Sequence, residues 1–292
     1  MLRLSAVALG AVGAAFDASA GNTLSGRKVA VTIDDGPAIG PDRDLAAYAE
    51  ISDALRATFA AEAVPAMMFV NERQLHVDGQ RDARAALLHR WVEAGLELGN
   101  HTYSHPQLAE IGLDAFLDDI VKGEVVTRPL LEARGQKLSW FRYPFLATGS
   151  GEQAAIIETF LAHRAYRIAP VTVDYADYMH AGLYSRHRRA GDNARAEQQV
   201  ETMLQMLDDA FARAEKRAQE ILGYEPPQVL LIHCNELNAH TLRRTLQRIR
   251  ARGYAFVSLD EAMADPAYGI PLPPGAMGGG GWFESLAAAR AQ

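Results

Sequence analysis

Lys28-Val29-Ala30-Val31-Thr32-Ile33-Asp34-Asp35-Gly36-Pro37 is an apolar, β-branched run that ends in two carboxylates and a Gly-Pro turn. Val, Ile and Thr favour extended backbone, so Lys28–Ile33 reads as a strand closed by the turn residues after it. Neighbouring side chains on a strand point to opposite faces. A turn directly after Asp34 and Asp35 changes this: one carboxylate can reach a cation while its neighbour faces a bound water. Adjacent carboxylates repel, and a cation relieves the repulsion. Taken alone, Asp-Asp-Gly-Pro reads more readily as a solvated turn.

Outward from this strand, β-rich runs alternate with helical patterns. Further strands are expected at Ala66–Val70, Glu97–Asn100, Trp140–Arg142, Ala169–Val173, Val229–His233 and Ala255–Ser258. Helices are expected over 43–62, 83–95, 113–134, 151–164, 194–222 and 239–252. In the longest, Val200, Met203, Leu204, Leu207, Phe211, Ala214, Ala218 and Ile221 recur at three and four, and Gly223 stops the helix. Such alternation predicts an α/β fold with a mostly parallel sheet, a distorted (β/α) barrel of about seven strands. An open doubly wound sheet satisfies the same pattern.

The chain has 292 residues, 49% hydrophobic and 22% charged, with 29 basic against 36 acidic side chains, a net charge of −7. That is the composition of a globular protein and excludes disorder. An acidic balance without a Lys/Arg block argues against a nucleic-acid partner, which requires clustered positive charge. With Cys234 the only cysteine, no intrachain disulfide can form. Met1-Leu2-Arg3, the small apolar residues 4–16 and Ala18-Ser19-Ala20 have the pattern of a cleaved leader, so 1–20 is expected to be a signal peptide and the protein periplasmic or secreted. Residues 21–269 would form the barrel, and 270–292 a Pro/Gly-rich connector with a short terminal helix. No later segment is apolar enough for membrane insertion.

The polar residues Asp34, Asp35, His101, Arg142, Asp174, Asp177 and His233 all fall at or just past the C-terminal end of an expected strand, the edge where ligands bind in parallel barrels and sheets. In His101-Thr102-Tyr103-Ser104-His105-Pro106, the proline disfavours α backbone at His105, so the two histidines are expected on a loop. Asp plus two His supplies three ligands and leaves a position for water, the pattern of a hydrolytic metal site. Arg142, inside an apolar run, needs a carboxylate partner. His233 ends the apolar strand Val229–His233, and Asp174 or Asp177 could orient it. The basic stretch Ser185-Arg186-His187-Arg188-Arg189 is expected to be a solvated loop. If it overhangs the cleft, it would attract an anionic saccharide.

In this order, and with Val64–Val70 and Gly253–Val257, these segments resemble the polysaccharide deacetylase family, defined by the NodB-homology domain, over about residues 28–262. The resemblance implies a barrel with fewer than eight strands and one divalent metal, usually Zn2+, with Co2+ or another ion as alternatives. It implies Asp35, His101 and His105 as metal ligands, Asp34 as general base held by Arg142, and His233 as general acid kept charged by Asp177. It further implies that the Phe145 N–H stabilises the oxyanion and that Leu231 lines a pocket for the acetyl methyl, with Tyr143 and Tyr178 also expected along the substrate site. Tyr178 stands where the family often has Trp, Leu146 replaces a common glycine, and Asp174 is the reserve for Asp177. The activity so implied is removal of N-acetyl groups from the amino sugars of a chitin-like or peptidoglycan-like saccharide. Alternatives are a catalytically silent carbohydrate-binding barrel and an amidohydrolase acting on a small non-sugar amide.

Overall fold

The structure, a computed structural model, describes residues 26–42, 44–276 and 281–291. The expected leader, 1–20, lies outside the described residues. Eight strands form one sheet: β1 (Lys28–Gly36), β2 (Ala66–Val70), β3 (Glu97–Asn100), β4 (Trp140–Phe141), β5 (Arg167–Ile168), β6 (Val173–Asp174), β7 (Gln228–His233) and β8 (Ala255–Val257). Their order is β5-β4-β3-β2-β1-β7-β6, with β8 paired to the start of β1, and every pairing is parallel. β1 is central, in register with β2 from Val31 and with β7 from Val29 to Asp34, and nearly all of it is buried. A strand covered on both faces must be apolar throughout, which is how Lys28–Ile33 reads.

The expected strand Ala169–Val173 is mostly a connection: two short strands flank it, β5 just before it and β6 from Val173, and these are the two ends of the sheet. Pro170 has no N–H to give a ladder. Ala169 N donates to Phe141 O on one side and Thr172 N to Val229 O on the other, so Pro170 and Val171 alone bridge the ends. This short bridge curls the sheet into an open barrel, and the polar strand ends converge on one rim.

Helices cover the outside. The longest, Asn193–Leu222, buries Val200, Met203, Leu204, Leu207, Phe211, Ala214 and Ala218 and ends at Gly223 with φ 80°. Each large apolar side chain so buried contributes about 1.5–3 kcal/mol. The expected helix 113–134 is broken into Leu113–Lys122 and Thr127–Glu132. At the break a Cβ on Gly123 would sit 2.5 Å from the Thr102 carbonyl carbon, so this glycine lets the histidine loop close onto the helix end. The second piece begins where the buried Glu72 carboxylate accepts from Val126 N and Thr127 N at 2.9 and 2.6 Å.

The basic stretch Ser185–Arg189 is not a loop; it ends a helix, Tyr178–Arg189. That helix buries only Tyr184 and Ser185, so it carries no apolar stripe for sequence periodicity to reveal. Basic residues in a last turn suit the helix dipole, and here Arg189 pairs with Asp42 while Arg188 donates to Asn193 Oδ1. A short helix, Trp282–Arg290, packs Trp282, Phe283 and Leu286 into the core. No helix among the described residues is long and apolar enough to cross a membrane.

Candidate active site

The two adjacent carboxylates are steered to one place by the backbone. Asp34 pairs in register with His233, but the β1–β2 register shifts between Ile33 and Gly36, and Asp35 takes φ 65°. Aspartate tolerates this left-handed conformation better than most residues, and a bulge of this kind re-aims a side chain. Asp34 therefore meets Arg142 while Asp35 turns toward two imidazoles: Asp35 Oδ1 is 3.9 Å from His101 Nε2 and 3.6 Å from His105 Nε2.

His101 and His105 stand on a loop past β3, with Thr102 at φ 68° and His105 at φ 56°. The loop is tied down from several sides. Asn71 Nδ2 donates to His101 O at 2.6 Å, Thr102 N to Asn100 Oδ1 at 2.7 Å, and Ser104 N and Oγ both donate to the Asp119 carboxylate, at 2.9 and 2.7 Å. His101, almost wholly buried, donates from Nδ1 to Arg142 O at 2.8 Å, which leaves the Nε2 lone pair facing Asp35. Burial, reinforced by the neighbouring His105, pushes the His101 pKa down to about 3, so the ring is held neutral, the form that ligates a metal. One donor atom from each of Asp35, His101 and His105 lies within 4.8 Å of the others. Zinc-like ions bind such atoms at about 2.0–2.2 Å, so ligand atoms around one ion lie some 3–4 Å apart. This donor set fits one divalent ion.

Arg142 is fully buried and every arm is used. Nη1 donates to Asp34 Oδ1 at 3.0 Å, Nη2 to Thr32 Oγ1 at 3.0 Å and Pro170 O at 3.2 Å, and Nε to Ala169 O at 3.2 Å. It thus clamps the Pro170 bridge of the barrel and orients one oxygen of Asp34. The other, Oδ2, lies 3.5 Å from His101 Nε2. Burial raises the Asp34 pKa, and the Arg142 guanidinium opposes the rise.

Across the register from Asp34, His233 Nδ1 meets Asp177 Oδ1 at 2.6 Å. Asp177 also accepts from His233 N at 2.9 Å, from Asn235 Nδ2 at 3.3 Å and from Asn238 Nδ2. Burial disfavours the imidazolium, but the Asp177 carboxylate outweighs it and lifts the His233 pKa to about 10. Burial likewise pushes Asp177 up, and His233 more than reverses it, leaving the carboxyl below its usual range. Of the two expected orienting carboxylates, Asp177 holds the imidazole, whereas Asp174 is exposed and accepts from Ala176 N at 2.8 Å.

Asp34, Asp35, His101, His105 and His233 border one cavity of about 340 Å³, together with Phe145, Asp174, Tyr178 and Leu231, while Arg142 and Asp177 support it from behind. Phe145 has φ 56° and places its ring 4.4 Å from that of His105; Tyr178 lies edge-on to His233 at 5.3 Å. Tyr143, expected at the substrate site, lies instead in the core, 2% exposed, between Phe116 and Phe141, with its hydroxyl lacking a partner among the described residues. With Arg142 directed into the barrel, the next side chain faces the helices. Cys234, beside His233, is buried, its Sγ 2.8 Å from Pro37 O, and burial raises its thiol pKa. Thr32, Asn71, Asp119 and Asn238 hold the site without having been distinguishable in sequence, since nothing marks a polar residue as the partner of a distant one. Only Asn235 carried a signal, as an N-cap residue directly before the helix Glu236–Ala251.

The sequence model of the polysaccharide deacetylase family matches residues 21–156. A chitin deacetylase of Arthroderma benhamiae is 25% identical over 155 residues, 52% of this chain and 36% of that protein, so the chain spans about a third of this relative's length. A family 4 carbohydrate esterase from Streptomyces lividans, solved in complex with acetate, superimposes with a TM-score of 0.53 at 19% identity, covering 81% of this chain and 96% of that one. A CE4 family pseudoenzyme from Bacillus anthracis gives a TM-score of 0.55 at 18% identity over 81% of this chain and 65% of that one. At these identities the two superpositions establish a shared fold, the (β/α) barrel of the CE4 type. The family match over residues 21–156 and the chitin deacetylase relative both make this chain similar to the polysaccharide deacetylase family.

Proposed function

We propose that this protein is an exported, metal-dependent hydrolase that removes N-acetyl groups from the amino sugars of a polysaccharide or oligosaccharide, chitin-like or peptidoglycan-like. One observation carries the reading: a carboxylate base and a charged imidazole, Asp34 and His233, border the same cavity as the Asp35, His101 and His105 cluster. An amide leaves poorly unless its nitrogen is protonated, so its hydrolysis requires a base on the attacking water and an acid on the leaving nitrogen. A protein that only binds saccharides has use for neither. The chitin deacetylase relative supports an N-acetylated amino sugar over a small non-sugar amide.

A zinc-class ion held by Asp35, His101 and His105 would supply Lewis acidity, polarising the amide carbonyl and easing deprotonation of the attacking water. Asp34 takes that proton on Oδ2, while Arg142 holds Oδ1 and keeps the carboxylate aligned. His233, with Nδ1 engaged by Asp177, presents Nε2 to the leaving nitrogen and gives up its proton there. Leu231 would offer an apolar wall to the acetyl methyl and the Phe145 N–H would stabilise the oxyanion, a reading supported by both residues lining the cavity. The leader-like start, Met1 to Ala20, supports a periplasmic or secreted location, where such polymers are found.

The test is acetate release from N-acetylated chitooligosaccharides and peptidoglycan glycans by the wild type, Asp34→Asn and His233→Ala. Each variant should bind metal as the wild type does and lose about 10²–10⁴-fold in turnover. A loss under tenfold in both would refute the assigned roles.

A further inference from the structure

A second cavity, of about 550 Å³, opens from the metal-site side and shares Asp35 and His105 with it. Its outer wall is the turn Glu72–Leu75 that follows β2, fastened by Asn71 N to Gly36 O and by Arg73 N to Tyr103 O, both at 3.0 Å. Its wall carries two guanidinium groups, Arg73 and Arg84, and among the described residues lining it Asp35 is the only carboxylate. That carboxylate belongs to the metal cluster.

The two arginines differ. Arg84 is 1% exposed and donates from Nε to Gln80 Oε1 and from Nη1 to Gln74 O, both at 3.0 Å, while its guanidinium lies 4.5 Å over the Tyr48 ring. It fixes the wall and adds a buried positive charge behind it. The exposed Arg73 guanidinium forms no hydrogen bond or ion pair with any described residue. In a chain of net charge −7, whose other arginines are largely paired on the surface, a free guanidinium at the mouth of a carboxylate-poor cavity is set apart. The wall also offers acceptors. Gln74 Nε2 is placed on Asp35 O at 3.4 Å and Asn71 Nδ2 on His101 O at 2.6 Å, so each amide oxygen is left as an acceptor, and neither has a partner among the described residues.

We propose that this cavity is a subsite for a carboxylate-bearing sugar unit adjoining the N-acetylated unit at the metal cluster. The proposal rests on the saccharide reading above. The guanidinium matches a carboxylate, and the amide oxygens match hydroxyl or N–H donors. A neutral sugar has no need of the first, and an anion without O–H or N–H groups, such as chloride or sulfate, has nothing to give the second. The helix Tyr178–Arg189 is a poorer anion site: Arg189 is paired with Asp42, and Arg186 shares its cavity with Glu236.

The carboxylate could be a uronate or the lactyl ether of a muramic unit. Binding is therefore measured by calorimetry on zinc-loaded Asp34→Asn protein, which leaves the ligand intact, with and without Arg73→Gln. Three tetrasaccharides serve as probes: N-acetylglucosamine alternating with glucuronate, a peptidoglycan glycan carrying N-acetylmuramate, and neutral tetra-N-acetylchitotetraose. Arg73→Gln should weaken one acidic probe by about tenfold, the scale of one charge-assisted hydrogen bond, and at least fivefold more than the neutral one. Which acidic probe responds identifies the carboxylate. The acidic preference should shrink as salt rises, and Arg188→Gln, on the far helix, should not alter it. Equal weakening of all three probes, no weakening, or no acidic preference in the parent would overturn the subsite. Acetate release from the neutral oligosaccharide by the wild type reports separately on the hydrolase reading, so either can fail alone.

Discussion

Replacing Asp177 by Asn keeps the size of the side chain and an oxygen for His233 Nδ1 but removes the charge. Asp177 is fully buried and lies 2.6 Å from the imidazole, so solvent screens the pair poorly. From the ordinary histidine value of 6.5 to about 10 is more than a thousandfold in proton affinity, worth about 5 kcal/mol. The carboxylate must also offset burial, so its loss should carry His233 back to 6.5 or below. In the wild type, kcat/KM should fall at low pH as Asp34 is protonated and at high pH near 10 as His233 loses its proton. In Asp177→Asn the alkaline limb should move down by about three or more pH units, with roughly a three-hundredfold or greater loss at pH 9 and a far smaller one at pH 6. Stability follows the same sign. His233, raised when folded, stabilises below pH 6.5 and loses that contribution as pH climbs through about 10; Asp177, lowered when folded, contributes above the ordinary carboxyl range and loses it on acidification. The Tm gap between wild type and variant should therefore be widest near pH 5–6 and close toward pH 10. The His233 ring resonance in an NMR pH titration reads the same quantity without substrate. An alkaline limb and a ring titration both unmoved in Asp177→Asn would refute the assignment.

Two further substitutions probe the supports of the site. Tyr143→Phe removes a buried hydroxyl that has no partner among the described residues, so it should leave turnover within about twofold and stability unchanged or up to about 1 kcal/mol higher; a tenfold activity loss would return Tyr143 to the substrate site. Gly123→Ala puts a methyl 2.5 Å from the Thr102 carbonyl carbon and should displace the His101–His105 loop, lowering zinc affinity by about 10–100-fold in a chelator competition titration. Unchanged affinity would mean that the loop does not depend on that close approach.

Much of this architecture was legible because a parallel barrel writes itself plainly: β1, β2 and β7 are buried on both faces and appear as unbroken apolar runs, with chemistry-bearing residues immediately after them. The misreadings have local physical causes. Pro170 makes a connection of what looked like a strand, Gly123 divides what looked like one helix, and the helix Tyr178–Arg189 buries too little to show a stripe. In the site, the residue types at Asp35, His101 and His105 suggested a metal cluster, but their convergence depends on left-handed backbone at Asp35 and His105, a property of the folded chain. Tyr143 misled because it sits one residue from Arg142, and along extended backbone one residue is the difference between cavity and core.

The central claim is that amide hydrolysis takes place at this cluster. Its most direct test is acetate release from N-acetylated chitooligosaccharide by the purified protein before chelation, after chelation, and after zinc is restored. The account predicts release that a chelator abolishes and zinc recovers, with the fold retained throughout. No release from the zinc-loaded protein on any N-acetylated saccharide, or release that a chelator leaves intact, would contradict it.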